Sequence, residues 1–348
     1  MSAMKPNYPE NSWWVAAVGE EVTRTPLGRW FLDRPVVLYR TEAGEVVALE
    51  DRCPHRWAPL SRGCLVGDDI MCPYHGFRFD ATGTCTKIPT QQTIPAMARV
   101  KTHAVREDGP FVWIWMGDPA RAQVTPLPEL PFLSGPGWNT MRGYMPVKAN
   151  YMLIQENVLD LTHFGFLHAD TLEQKGWEGG DSEVTVADGT VGYRKQMRQE
   201  PVASFLGIPD GIGYGQKADR VDWGHFVSPA VHHAGVDIVD PRPGREARTL
   251  RFQITHLTTP ESPGRTHYWY ALGHDYGEYT PERCAELTDL IVATFTQDKD
   301  VLEAVQDVIE RDARHADSVE VSVTADRPAL QARRILRAML ESEQGRTP

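Results

Sequence analysis

The sequence predicts an α+β chain, with an all-β N-terminal domain followed by a domain of antiparallel sheet and long helices. Three observations carry this. Short strand-and-turn patterns fill the first third of the 348 residues. The segment from Asp118 to Gly137 holds Pro119, Pro126, Pro128, Pro131 and Pro136, and prolines at that density disfavour both helix and central strand. Beyond it, hairpin patterns are followed by two long helical stretches. The domain boundary is therefore expected in the proline-rich segment, with residues 1–120 in the first domain and 121–348 in the second.

In the first domain, Val36 to Arg40 and Val46 to Glu50 flank Glu42-Ala43-Gly44 as a hairpin. The aromatic and β-branched run Phe111 to Met116, bounded by glycine and proline on both sides, predicts a buried strand. In the second domain, residues 150 to about 163 carry helical periodicity. Residues 183–187 and 190–194 pair around Asp188-Gly189, a dipeptide suited to a two-residue turn. Residues 250–258 and 266–272 pair around Pro260-Glu261-Ser262-Pro263-Gly264. Helices are predicted over residues 281–311 and 328–343, and no internal repeat interrupts the chain.

Composition excludes several classes of function. Charged residues make up 24% and hydrophobic residues 41%, a globular balance. The 36 Lys and Arg against 47 Asp and Glu give a net charge of −11, so no basic face for nucleic acid is expected. No apolar run approaches the roughly 20 residues of a membrane helix. The opening Met1-Ser2-Ala3-Met4-Lys5-Pro6 has no apolar core, so no secretory leader is expected. Five cysteines in such a chain suit reduced thiols or metal ligands in the cytoplasm better than a disulfide scaffold.

Cys53-Pro54-His55 is followed, after 16 intervening residues, by Cys72-Pro73-Tyr74-His75-Gly76. A zinc site is one reading of two cysteines and two histidines, but zinc modules usually pair like ligands at short spacing. Here each half supplies one Cys and one His, which fits a Rieske [2Fe–2S] cluster, with two Cys on one iron and two His on the other. Pro54 and Pro73 stiffen the two loops, and Gly63, Gly67 and Gly76 supply turns beside them. Cys64, Cys85 and Cys284 match no ligand spacing and are expected to be packed thiols.

A second constellation lies at Asn157, Asp160, His163 and His168. Asp160 and His163 are three apart and share a helix face. His168 reaches the same point only if the helix ends or distorts between the histidines, and Gly165 is a suitable place. Two imidazoles and a carboxylate form the facial triad of non-haem Fe(II) oxygenases. For the carboxylate, the long helix offers a test. Leu287, Leu290, Ile291, Thr294, Val301, Leu302, Val305 and Ile309 read as one apolar stripe, and Asp298 falls on it. Asp289, Asp300 and Asp307 fall on the opposite face. A carboxylate on a buried stripe is costly unless it is paired or metal-bound, so a buried salt bridge and an iron ligand are the two readings.

These two motifs, in this order, resemble the Rieske non-haem iron oxygenases, in the branch typified by vanillate O-demethylase and dicamba monooxygenase. The string Asn157-x2-Asp160-x2-His163-x4-His168 resembles the family's catalytic motif, and Phe295-Thr296-Gln297-Asp298 its third-ligand segment. Gln297 stands where the family often has an acidic residue. Respiratory Rieske proteins carry two further cysteines, and Ala58 and Tyr74 occupy those positions here.

The resemblance implies a helix-grip catalytic domain and cluster ligands Cys53, His55, Cys72 and His75. It implies a mononuclear iron on His163, His168 and Asp298, O2 as co-substrate, and electrons from NAD(P)H through a separate flavin- or ferredoxin-type reductase. It also implies a head-to-tail homotrimer in which Asp160 bridges one subunit's His163 to its neighbour's cluster. The expected reaction is oxidative O- or N-demethylation of a small aromatic substrate, with ring or methyl hydroxylation as the alternative. A non-catalytic Rieske electron carrier is the rival, but it has no use for a complete triad. Asn157, one turn before Asp160, is expected to face the iron. Leu250, Phe252, Ile254 and His256 alternate onto one strand face, so His256 is either a satisfied core histidine or a contact to a substrate oxygen. His267 and Trp269 are further candidates on the partner strand.

Overall fold

The computed structural model describes residues 8–172, 177, 182–206, 215–240, 248–277, 280–312 and 319–345. The chain divides into two compact units: Met1–Leu127 with Thr259–Pro263, and Pro128–Thr258 with Gly264–Pro348. The first unit holds strands β1 (Trp13–Val18), β2 (Leu27–Phe31), β3 (Arg34–Arg40), β4 (Val46–Glu50), β5 (Cys64–Val66), β6 (Asp69–Met71), β7 (Arg78–Phe79), β8 (Cys85–Lys87), β9 (Ala104–Asp108) and β10 (Phe111–Trp115). They form three small sheets, ordered β1-β10-β9, β2-β3-β4 and β5-β6-β7-β8. The whole run Phe111 to Met116 is buried, because its strand lies in the centre of the first sheet. Such a strand has both faces covered and reads as continuously apolar.

A short helix, α1 (Pro119–Val124), occupies the proline-rich segment. This corrects the expectation that its prolines block helix. Pro119 stands in the first turn, where an amide N–H has no intrahelical partner to lose, and the Asp118 side chain caps the Ala120 amide.

The second unit contains β11 (Asn139–Val147), α2 (Tyr151–Leu159), β12 (Glu183–Ala187), β13 (Thr190–Pro201), β14 (Lys217–Ser228), β15 (Val231–Val239), β16 (Thr249–Ser262), β17 (Arg265–His274), α3 (Pro281–Asp312) and α4 (Arg327–Glu343). Its strands make one seven-stranded sheet in the order β11-β17-β16-β15-β14-β13-β12. The turn between β12 and β13 places Asp188 at φ 49° and Gly189 at φ 73°, the left-handed pair that a tight hairpin turn requires. Leu287, Ile291, Phe295 and Leu302 of α3 pack into a core with Val236, Leu250, Phe252, Tyr268, Tyr270 and Leu272 of the sheet. A long helix held against one face of an antiparallel sheet is the helix-grip arrangement.

Two helices differ from the sequence reading. α2 stops at Leu159 rather than near residue 163, because Asp160 leaves the helical region at φ −127° and ψ 97°. In α3 the buried positions are Leu287, Ile291, Thr294, Phe295, Leu302 and Gln306, while Val301, Val305 and Ile309 are exposed. The apolar stripe was misphased in its second half. The buried line continues through Leu302 and Gln306, and Val301 and Val305 each stand one position before it. Asp298 keeps its place on the buried line, seven after Ile291 and four before Leu302.

Candidate active site and metal centres

In the first unit, Cys53 follows β4 and Cys72 follows β6. Their loops share one hydrogen-bond pattern. The Cys53 amide donates to the Ala58 carbonyl at 2.9 Å and the Trp57 amide to the Cys53 carbonyl at 2.8 Å. The Cys72 amide donates to Phe77 at 2.7 Å and the Gly76 amide to Cys72 at 3.1 Å. Each loop turns at a left-handed residue, Trp57 at φ 59° and Gly76 at φ 70°. At Gly76 the absence of a Cβ also avoids Pro89, which would lie 3.0 Å away. The paired loops bury both thiols and leave both imidazoles at the surface, with ring centroids 4.5 Å apart. Phe77 stacks on His55 at 4.9 Å and Tyr74 tilts over His75 at 3.9 Å.

Burial pushes the Cys53 thiol up to about 11, and its hydrogen bond to Cys72 adds to this. Adjacent buried thiols of this kind are poor places for bare negative charge and good places for iron. The inner thiol pair and outer imidazole pair match the two ends of a two-iron cluster. Among the described residues, the group whose ligand atoms converge as for one ion is elsewhere, so these four residues suit the cluster better than a single zinc. Of the remaining cysteines, Cys85 is buried as expected, Cys284 is half-buried and Cys64 is exposed. The exposure of Cys64 corrects its reading as a packed thiol, since its strand β5 is short and offers that side chain no cover.

The converging group is His163, His168 and Asp298, with ligand atoms within 4.8 Å of one another. Asp298 Oδ1 is the focus: His168 Nε2 lies at 3.1 Å, His163 Nε2 at 3.5 Å, and Asn157 Nδ2 donates at 3.1 Å. The chain reaches this geometry by ending α2 early. Residues Leu161–Gly165 form a 3-10 turn, and the Leu167 amide then bonds back to His163. The distortion anticipated near Gly165 therefore begins at Asp160.

Asp160 caps that turn. Its carboxylate accepts from the Thr162 amide at 2.9 Å, while its backbone carbonyl accepts from His163 Nδ1 at 2.6 Å. This corrects the expected bond between the Asp160 carboxylate and the imidazole within one chain. With α2 ended, the carbonyl rather than the side chain faces the ring. His168 Nδ1 donates to Gln297 Oε1 at 2.9 Å, and Thr171 Oγ1 donates to the same oxygen at 2.9 Å. Both imidazoles thus carry Nδ1–H, so each Nε2, when unprotonated, would offer its lone pair at one point, the form in which histidine binds a metal. Gln297 was seen in the sequence only as a departure from the family pattern; its neighbour Asp298 was the signal that could have placed it.

Burial also acts on the proton affinities. His163 is lowered by desolvation, which Asp298 only partly offsets. Desolvation works against charge on His168 too, but its bonds to Asp298 and Gln297 outweigh that and raise it.

A cavity of about 100 Å³ opens beside the triad, lined mainly by apolar side chains from α3 and the sheet, including Leu172, Phe205, Phe252, Ile254 and Ile291. Apolar walls with a few polar groups are the lining of a site for a small, largely apolar ligand. Asn157 and His256 also line it, and Asp222 and His232 add polar groups that the sequence did not single out. Asp222 is held by Arg220 Nε at 3.0 Å and Trp177 Nε1 at 3.1 Å. His256 Nδ1 lies 2.6 Å from the Tyr268 hydroxyl. His267 and Trp269 do not line the cavity. The two-residue alternation of β17 turns them to the other face, where His267 Nδ1 meets the Tyr144 hydroxyl at 2.8 Å.

Comparison with known proteins agrees with this fold and donor set. The Rieske [2Fe-2S] domain family matches residues 12–102, and the vanillate O-demethylase oxygenase C-terminal domain family matches residues 147–342. The fold and the two donor sets define a Rieske non-haem iron monooxygenase. The chain belongs to the vanillate O-demethylase type of these oxygenases. It is 32% identical over 97% of its length to a putative toluene-4-sulfonate monooxygenase system iron-sulfur subunit of Comamonas testosteroni, covering 99% of that protein. It is 33% identical over 86% of its length to the dicamba O-demethylase oxygenase component of Stenotrophomonas maltophilia, covering 88% of it. The crystal structure of dicamba monooxygenase bound to 3,6-dichlorosalicylic acid matches with a TM-score of 0.88, 29% identity, and coverage of 97% of this chain and 99% of that one. The cofactors of the chain are accordingly a Rieske [2Fe–2S] cluster and mononuclear non-haem iron, and it acts as an oxygenase component of a multi-component system. No helix among the described residues is long and apolar enough to cross a membrane.

Proposed function

We propose that the chain demethylates a single-ring aromatic methyl ether or N-methyl compound, with the triad of His163, His168 and Asp298 opening onto the apolar cavity as the observation that carries the reading. Cys53, His55, Cys72 and His75 hold the cluster in a domain ending near residue 120, and His163, His168 and Asp298 hold the iron in the domain of residues 121–348. When bound, the cluster supplies electrons and the mononuclear iron supplies the activation of O2 that inserts oxygen into a substrate C–H bond.

The protein's own residues fix the geometry of that chemistry. The Asp160 carbonyl and Gln297 hold the two imidazoles as ligands, and Asn157 steadies the Asp298 carboxylate through its 3.1 Å hydrogen bond. The apolar walls exclude water and receive the ring, with its methyl group toward the triad. His256 contacts a polar substituent on the ring. Hydroxylation of an O- or N-methyl carbon gives a hemiacetal or hemiaminal, which collapses to formaldehyde. The Asp160 carboxylate is half-exposed and accepts a hydrogen bond from the Thr162 amide. With its carbonyl on His163 Nδ1 and its carboxylate half-exposed, Asp160 is suited to link His163 to His75 of the partner subunit in a homotrimer. Electrons reach the cluster from NAD(P)H through a separate flavin- or ferredoxin-type reductase in the cytoplasm.

Purified protein supplied with a reductase tests the reading directly. NAD(P)H-dependent formaldehyde release from methoxy- or N-methyl-substituted aromatics is the expected result, and oxidation without formaldehyde across such a panel refutes it. One observation favours methyl hydroxylation as a second reading. The relatives from Comamonas testosteroni are named for toluene-4-sulfonate, which carries a ring methyl and no methyl ether. A benzylic alcohol product from that compound would select it.

A further inference from the structure

The Tyr268 hydroxyl and His256 Nδ1 lie 2.6 Å apart, and both side chains are buried. The proton between them can belong to either. If Nδ1 carried it, the phenol hydrogen would have no acceptor among the described residues, and a buried O–H without a partner is strongly disfavoured. If the phenol donates to Nδ1, both groups are satisfied within the protein, and the remaining hydrogen sits on Nε2. No protein partner for Nε2 is found among the described residues, and His256 lines the cavity.

The pair is also held rigidly. The two rings are within 7° of parallel, and Phe295 packs against both, 5.6 Å from His256 and 5.8 Å from Tyr268. Phe295 is on α3, three residues before Asp298, so His256 is fixed relative to the triad. The neighbouring His232 differs. It lies across the strands with its ring 5.7 Å from His256, and neither of its nitrogens has a hydrogen-bond partner among the described residues. Nothing pins its tautomer.

We infer that Tyr268 is a positioning residue: its phenol holds His256 as the Nε2–H form, so the cavity presents a fixed hydrogen-bond donor and the substrate ring carries an oxygen acceptor that meets it. The inference rests on reading this cavity as the substrate site. A ring bearing an ammonium at that position would set donor against donor and be rejected, because a misfitted buried polar group costs more than a missing contact.

Neutron diffraction from holoenzyme crystals exchanged into D2O locates the protons without any substrate. Deuterium on the Tyr268 oxygen and on His256 Nε2 is expected; deuterium on Nδ1 overturns the inference. Two probes, 4-methoxybenzoate and 4-methoxybenzylamine, then test its consequence. The wild type favours the benzoate. In Tyr268→Phe the KM for the benzoate rises about tenfold while kcat stays within about twofold, as for lost binding rather than lost chemistry. An unchanged preference between the probes in Tyr268→Phe also overturns it. Filling the cavity with Ala234→Trp separates the two readings. Probe turnover that survives it sinks the cavity as the substrate site, whatever the proton positions show. If neither probe is bound, the neutron map decides alone.

Discussion

Replacing Gln297 by Leu removes the acceptor for His168 Nδ1–H and keeps the volume close. The structure sets the size of the effect. His168 is 1% exposed, so water cannot substitute for the lost oxygen. A buried donor stranded in this way costs about 1–3 kcal/mol. Since 1.4 kcal/mol is about tenfold, that is about one to two orders of magnitude in metal affinity, which agrees with the about 10–100-fold typical of residues that orient a metal-binding histidine. The mononuclear iron should therefore be released to a chelator at about 10–100-fold lower chelator concentration in Gln297→Leu. The Rieske absorbance should be unchanged, because the cluster residues belong to a separate compact unit. Gln297→Glu, which keeps an acceptor for Nδ1–H, should hold iron at least as well as the wild type. Equal iron retention by Gln297→Leu and wild type, with the Rieske spectrum intact, would refute the reasoning.

Three further outcomes follow from the same geometry. Asp298→Ala should lose mononuclear iron and turnover with the Rieske spectrum retained, whereas Asp300→Ala should change neither, its side chain being 69% exposed; iron analysis of the two variants decides. Asp222→Ala should lower stability by about 3–5 kcal/mol in urea unfolding, because it strands the buried Arg220 charge, and a loss under about 1 kcal/mol would show that the pair is well solvated. Asp160→Asn should keep both metals but slow by orders of magnitude the oxidation of pre-reduced cluster in a single turnover, read at the Rieske absorbance with substrate and O2; an unchanged rate removes Asp160 from the electron path.

What the sequence determined was what is local or periodic. Cys53, His55, Cys72 and His75 carry their chemistry in residue identity and short spacing, so the nature of the cluster was readable without a fold. Asp188-Gly189 determined its hairpin, because few dipeptides accept two left-handed residues in succession. Asp298 was legible because it stands four past Thr294, close to one helical turn, and Thr294 is buried, although Val305, seven residues on, is exposed.

Periodicity failed in phase. Val301, Val305 and Ile309 repeat as a buried stripe would, yet the buried line runs one position on, through Leu302 and the polar Gln306, which an apolar pattern does not mark. The end of α2 at Leu159 was likewise undetermined, since the carbonyl that Asp160 offers to His163 exists only once the chain has turned.

The cavity belongs wholly to tertiary structure. Alternation on β17 says that residues 267 and 269 face one way and 268 the other, but not which way is inward. The register of β15 against β16 pairs His232 with His256, and α3 then sets Phe295 against that pair's Tyr268. Gln297 meets His168 from 129 positions away in the chain. Metal-binding identity is a property of side chains and survives in the linear sequence. The tautomer of each imidazole and the shape of the space beside the metal depend on neighbours brought together from distant segments, so only the folded chain fixes them.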